Sequence, residues 1–152
     1  MSKVGIIANP ASGKDIRRLV SHATVISNSE KTDILKRVIL GLDSTGVDEI
    51  LIMPDYYGLG LRAIESLNHH PLTVNFSSLD MAIEGNQDDS VRAARMMQEE
   101  KMDCIITLGG DGTNRVVSKG CGPVPLVPIS TGTNNVFPIM NEGTTAGIAA
   151  GI

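Results

Sequence analysis

Cys104-Ile105-Ile106-Thr107-Leu108-Gly109-Gly110-Asp111-Gly112-Thr113 decides how the rest of the chain is read. Cys104–Leu108 is a short apolar run closed by a turn signal, and runs of about four to eight such residues read as a buried strand. The glycines at 109, 110 and 112 let backbone N–H groups approach a ligand and adopt positive φ, a nest for phosphate oxygens. A short helix is expected to begin at Thr113 and Asn114 and run through Val117, and its N-terminal dipole also favours an anion. A carboxylate in such a cradle is unfavourable unless it has a job. Asp111 is therefore a candidate general base for a hydroxyl nucleophile, or a holder of Mg2+. The plainer alternative is a glycine-rich turn with Asp111 as a helix N-cap.

Working outward, the same strand-then-polar-loop pattern occurs twice more. Val4–Ala8 reads as a strand and runs into Asn9-Pro10-Ala11-Ser12-Gly13-Lys14. There Ser12, Gly13 and Lys14 offer a hydroxyl, an amide and a cation to an anion, although the Walker spacing is absent. Val124–Ile129 reads as a short or irregular strand, because Pro125 and Pro128 each remove a ladder donor. It leads to Ser130-Thr131-Gly132-Thr133-Asn134-Asn135, whose side chains can donate and accept as ribose hydroxyls and an adenine edge require. Between these loops, helical spacing predicts helices over 30–42, 56–68 and 88–101, with Asn28 and Ser29 as candidate caps of the first. Strands are expected over 50–53 and 72–76. Strand and helix alternate throughout, so the expected fold is α/β: three layers, a mainly parallel sheet with helices on both faces. Ligands of such sheets bind beyond the carboxyl ends of the strands, where all three loops would converge.

Composition narrows the function. A chain of 152 residues is about one domain's worth, and 1–152 is read as a single unit. A net charge of −4 and 3% aromatic residues argue against nucleic-acid partners. Cys104 and Cys121 have no metal-ligand spacing around them and read as reduced, buried thiols of a cytoplasmic protein. No apolar run approaches the ~18 residues of a membrane span, and no membrane partner is expected. Thr144–Ile152 reads as a helix without closing chemistry, so the chain is expected to be a fragment. Gly58-x-Gly60-x-x-Ala63, with Asp80 about twenty residues on, matches a dinucleotide fingerprint on paper. It does not directly follow its strand, so a helix start is the better reading. His69-His70 is expected to be exposed, and Met96, Met97 and Met102 to fill core.

NPASGK (9–14), LGGDGTNR (108–115) and ISTGTNNVFP (129–138), in that order, resemble the ATP-NAD kinase superfamily, which includes diacylglycerol and sphingosine kinase catalytic domains. KTDILKRV (31–38) and MPDYYGLGLRA (53–63) are similar to its acetoin-catabolism X branch. The resemblance implies that Asp111 activates the acceptor hydroxyl and that Gly109, Gly110, Gly112, Thr113 and Asn114 handle phosphate. It further implies that Asn9, Ser12, Gly13 and Lys14, with Thr131, Gly132, Thr133, Asn134 and Asn135, contact the nucleotide. Asn135 stands where lipid kinases carry an aspartate. The implied reaction moves a phosphoryl group from ATP, or polyphosphate, to a hydroxyl of an NAD-type dinucleotide. Mg2+ is implied through the nucleotide phosphates, with Asp111 as the protein group that could join it, and no other metal ligand. Members carry a second, β-rich domain that completes the acceptor site and would be absent from these residues, and they form homo-oligomers. Two alternatives stay open: a noncatalytic NAD- or ATP-binding accessory or sensor of acetoin catabolism, and a diacylglycerol-type lipid kinase.

Overall fold

Val4, Ile6 and Ala8 alternate with Gly5 and Ile7 along β1 (Lys3–Ala8), and this two-residue period assigns side chains to the two faces of the sheet. In the computed structural model, which describes residues 1–11 and 26–130, β1 is the central strand. It pairs with β2 (Glu49–Ile52) on one side and β4 (Cys104–Gly109) on the other. The edges are β3 (Asn75–Ser78) and β5 (Leu126–Ser130), the order is β3-β2-β1-β4-β5, and every pairing is parallel. The register sets Ile6 beside both Ile52 and Ile106.

Parallel neighbours need crossovers, which the helices provide: α1 (Asn28–Ser44), α2 (Leu59–Ser66), α3 (Gln87–Glu99) and α4 (Asp111–Ser118). The chain steps outward from β1 to β3 and then crosses back to β4, which sends the later helices to the opposite face. Leu35, Val38, Ile39 and Leu42 of α1, with Leu59 and Ala63 of α2, pack on Val4, Ile6, Ile50, Ile52 and Ile106. Ala93, Ala94 and Met97 of α3, with Val117 of α4, pack on Ile7, Leu51 and Ile105. Burying each large aliphatic side chain contributes about 1.5–3 kcal/mol, so the sheet is held from both sides. The three-layer α/β expectation is met.

Several boundaries differ from the sequence reading. The cap of α1 is Ser27, whose hydroxyl accepts from Glu30 N, rather than Asn28 or Ser29. The helix expected over 56–68 begins at Leu59, because the Asp55 carboxylate accepts from the amides of Gly58 and Leu59 and Gly58 takes φ 76°. That conformation suits glycine and stops the helix from starting earlier. β3 lies three residues later than expected at its start and is mostly exposed, as an edge can be. Pro128 sits in β5 opposite Thr107, at an edge of the described sheet.

Candidate functional site

The strand order reverses between β1 and β4, and the crevice beyond their carboxyl ends is where open α/β sheets bind ligands. Asn9 leaves β1 there. Its backbone N–H donates to Leu108 O (3.0 Å), its Nδ2 donates to Thr113 Oγ1 (3.1 Å), and its Oδ1 accepts from Ala11 N (2.9 Å). One side chain thus shapes its own loop and ties it to the turn after β4.

That turn departs from the expected nest. None of its glycines has positive φ; among the described residues the positive-φ glycines are Gly46, Gly58, Gly85 and Gly122. Gly110 is the extended N-cap of α4 (φ −104°), and the helix begins at Asp111, two residues earlier than expected, so Asp111 lies in the first turn and is not the cap. The helix dipole favours a carboxylate there. The need for Gly109 is steric: a Cβ would fall 2.5 Å from Thr113 Cβ and Oγ1. Gly112 is exposed, and a Cβ there would meet nothing within 4 Å. The fold itself therefore asks nothing of Gly112. Gly110 offers α4 no side-chain cap, so the partners of its first-turn amides must come from elsewhere than the cap residue.

Beneath the turn, Thr107 Oγ1 donates to Asn114 Oδ1 (2.7 Å) and Asn114 Nδ2 donates to Gly110 O (2.9 Å). Thr107 and Asn114 are 0% and 4% exposed, so this small network is paired away from water and holds the turn rigidly. Ser130, at the end of β5, pairs in register with Gly109 and is buried.

Lys31 was not singled out from the sequence. It is 0% exposed, and its Nζ donates to Pro10 O (2.9 Å), Asn9 O (3.2 Å) and Asn28 Oδ1 (3.5 Å). A signal was present: Lys31 lies four and seven residues before Leu35 and Val38, in line with the buried stripe of α1. Its charge also reaches Asp55, at the exit of β2. Burial pushes the Asp55 carboxyl above its usual range, and the amides of Gly58, Leu59 and Tyr57 and the Lys31 charge offset only part of that.

The structure thus brings together Asn9, Gly109, Gly110, Asp111, Gly112, Thr113 and Asn114 at one edge. Ser12, Gly13, Lys14, Thr131, Gly132, Thr133, Asn134 and Asn135 lie outside the described residues, as does the helix expected over 144–152. Among the described residues no group of three or more His, Cys, Asp or Glu could hold a metal ion. Both cysteines are buried, and burial pushes the Cys104 thiol up to about 11, which disfavours the thiolate. His69 and His70 are exposed, Gly58 caps a helix, and Met97 and Met102 are core. No helix among the described residues is long and apolar enough to cross a membrane.

Residues 4–152 match the family described as the ATP-NAD kinase N-terminal domain. The chain is also 41% identical, over 155 aligned residues covering 98% of its length, to acetoin catabolism protein X of Cupriavidus necator. It spans 43% of that relative's length.

Proposed function

The chain belongs to the ATP-NAD kinase N-terminal domain family, and from that premise we propose that it is the nucleotide-handling half of a phosphotransferase. The donor is ATP, or polyphosphate, and the acceptor is a hydroxyl of an NAD-type dinucleotide. The observation that carries this reading is the Asn9–Thr113 hydrogen bond at the reversal of strand order, which joins two loops beside an uncapped helix start bearing Asp111. A phosphate seated there would take the first-turn amides of α4 and the open space at Gly112. Asp111 accepts the proton of the acceptor hydroxyl. The oxygen then attacks the terminal phosphorus, the bond to the bridging oxygen breaks, and the donor leaves one phosphate shorter. The donor set fits Mg2+ only through the nucleotide phosphates, with Asp111 as the one carboxylate of the turn; when bound there it neutralises charge on the transferring group.

Ser12, Gly13, Lys14 and Thr131–Asn135 complete the nucleotide contacts in this reading. A β-rich second domain in the remaining length of the parent protein closes the acceptor site, and the protein works in the cytoplasm as a homo-oligomer. The test is to incubate the full-length parent protein with Mg2+-ATP and NAD and to read NADP through a coupled dehydrogenase, with Asp111→Asn as control. NADP that vanishes in the variant supports the assignment; an unchanged rate in a folded variant removes Asp111 as base.

The similarity to acetoin catabolism protein X leaves room for a second reading, an NAD- or ATP-binding accessory or sensor of acetoin catabolism that turns nothing over. It predicts nucleotide binding without NADP formation. The lipid-kinase reading rests on residues 9–13, of which Ser12 and Gly13 are outside the described residues, and vesicle binding by the full-length protein would revive it.

A further inference from the structure

We propose that Lys31 is a positioning residue for this edge: its buried ammonium holds the loop after β1 by two carbonyls, so that Asn9 can join that loop to the turn after β4. An ammonium is a donor only, and among the described residues it meets Pro10 O at 2.9 Å, Asn9 O at 3.2 Å and Asn28 Oδ1 at 3.5 Å. Two belong to consecutive residues of the loop and one to the first turn of α1. The lysine therefore spans helix and loop.

Packing does not call for this residue. Position 31 continues the stripe of Leu35, Val38 and Leu42, where an aliphatic side chain would complete the core without the desolvation that a charge incurs. The charge is kept where it reaches the backbone of Asn9 and Pro10. Asn9 in turn donates to Thr113, whose Cβ packs where a side chain at Gly109 would otherwise sit. The route runs from Lys31 through the Asn9 backbone to the Asn9 amide and on to Thr113 in the first turn of α4. Loss of the first link frees the Asn9 amide and, with it, the turn that carries Asp111.

The positional part of this inference stands on the hydrogen bonds alone, whereas its consequence for ligand affinity rests on the nucleotide reading above. The experiment separates the two. Amide hydrogen exchange is followed by mass spectrometry on the full-length protein, on Lys31→Met and on Lys31→Gln, which is neutral and one bond shorter, with circular dichroism to confirm the fold. Exchange in peptides spanning 104–118 is expected to rise about fivefold to tenfold in both variants, the scale of a lost charge-assisted hydrogen bond, with 87–99 unchanged. Binding of Mg2+-ATP is expected to weaken about tenfold, and adding Thr113→Val to Lys31→Met is expected to weaken it by no more than about twofold further, because both break one route.

Unchanged exchange over 104–118 in a folded variant overturns the proposal, and additive losses in the double variant overturn it too. Loss of fold in both variants makes Lys31 a folding residue and overturns it equally. Should the unaltered protein bind neither Mg2+-ATP nor NAD, the nucleotide reading fails while the exchange arm still decides the role of Lys31.

Discussion

At its amino end β1 is tied to its neighbours by exposed groups: Ser2 N donates to Asp48 (2.7 Å), Lys3 N to Asp103 (2.8 Å), and Lys3 Nζ lies 3.5 Å from Glu49. At its carboxyl end the ties are Asn9 to Thr113, Asn114 beneath the turn, and Lys31 under the loop, part-buried or buried in every case. Both sets do the same topological job of bracing a central strand against its partners. Their energetics differ, because an exposed tie competes with water and contributes about 0–1 kcal/mol. A buried one leaves an unsatisfied group when broken and costs about 1–3 kcal/mol per orphan. A fold that needed only bracing could use the cheaper kind at both ends, and the concentration of buried polar groups at one end agrees with the site proposed there.

The largest test of this contrast is catalytic. Asp111→Asn is expected to lower NADP formation by about 10²–10⁴, the usual contribution of a general base, while leaving thermal stability nearly unchanged; coupled-assay rates and a thermal melt check both. Next comes Asn114→Ala, which strands the Thr107 hydroxyl and opens a small void. It is expected to destabilise by about 2–3 kcal/mol in urea unfolding, whereas Asp103→Ala at the other end stays within about 1 kcal/mol.

The glycines sharpen the comparison within the turn. Gly109→Ala drives a Cβ onto Thr113 and is expected to cost about 1–3 kcal/mol by the same unfolding measurement. Gly112→Ala meets nothing and gains helix propensity, so it leaves stability unchanged or raises it by up to about 1 kcal/mol. If the turn seats a phosphate, Gly112→Ala nonetheless weakens nucleotide binding in calorimetry. Weakened binding with intact stability would separate what the turn does for the fold from what it does for a ligand.

The smallest effect is in pH, and its sign differs at the two ends of β2. The Ser2 amide and hydroxyl hold the Asp48 carboxyl below its ordinary 3.8, so its contribution to stability is present above 3.8 and fades as pH falls through the folded value. Burial holds Asp55 above 3.8, so its contribution is full below 3.8 and is lost as pH rises through the folded value. Carbon-13 NMR titration of the carboxyls should find Asp55 titrating after Asp48. The reverse order would remove the electrostatic part of the contrast.

Much of this was legible in the residues. The runs at 4–8 and 104–108 are apolar because parallel strands are covered on both faces, and their abrupt ends in Asn9-Pro10 and Gly109-Gly110 mark the loops. Helix spacing found α1 and α3, whereas β3, short and exposed at an edge, carries little apolar signal and was displaced. The positive φ expected in the turn was wrong because glycine is also chosen for lack of bulk, and the partner that needs that space, Thr113, touches Gly109 only once α4 is wound. Lys31 escaped notice because a lysine in a helix usually extends to solvent, and nothing local reveals that the loop after β1 folds over it.

By itself the sequence determined the α/β class, the alternation of elements, the family and the positions of the polar loops that leave β1 and β4, since each of these is written in short-range period and composition. Only the tertiary structure decided the strand order, and with it that the loops after β1 and β4 meet, that Asn9 reaches Thr113 and that Lys31 is closed in beneath them. Those facts depend on which strands become neighbours, a choice made by burying both faces of the sheet at once, and no local stretch of residues records it.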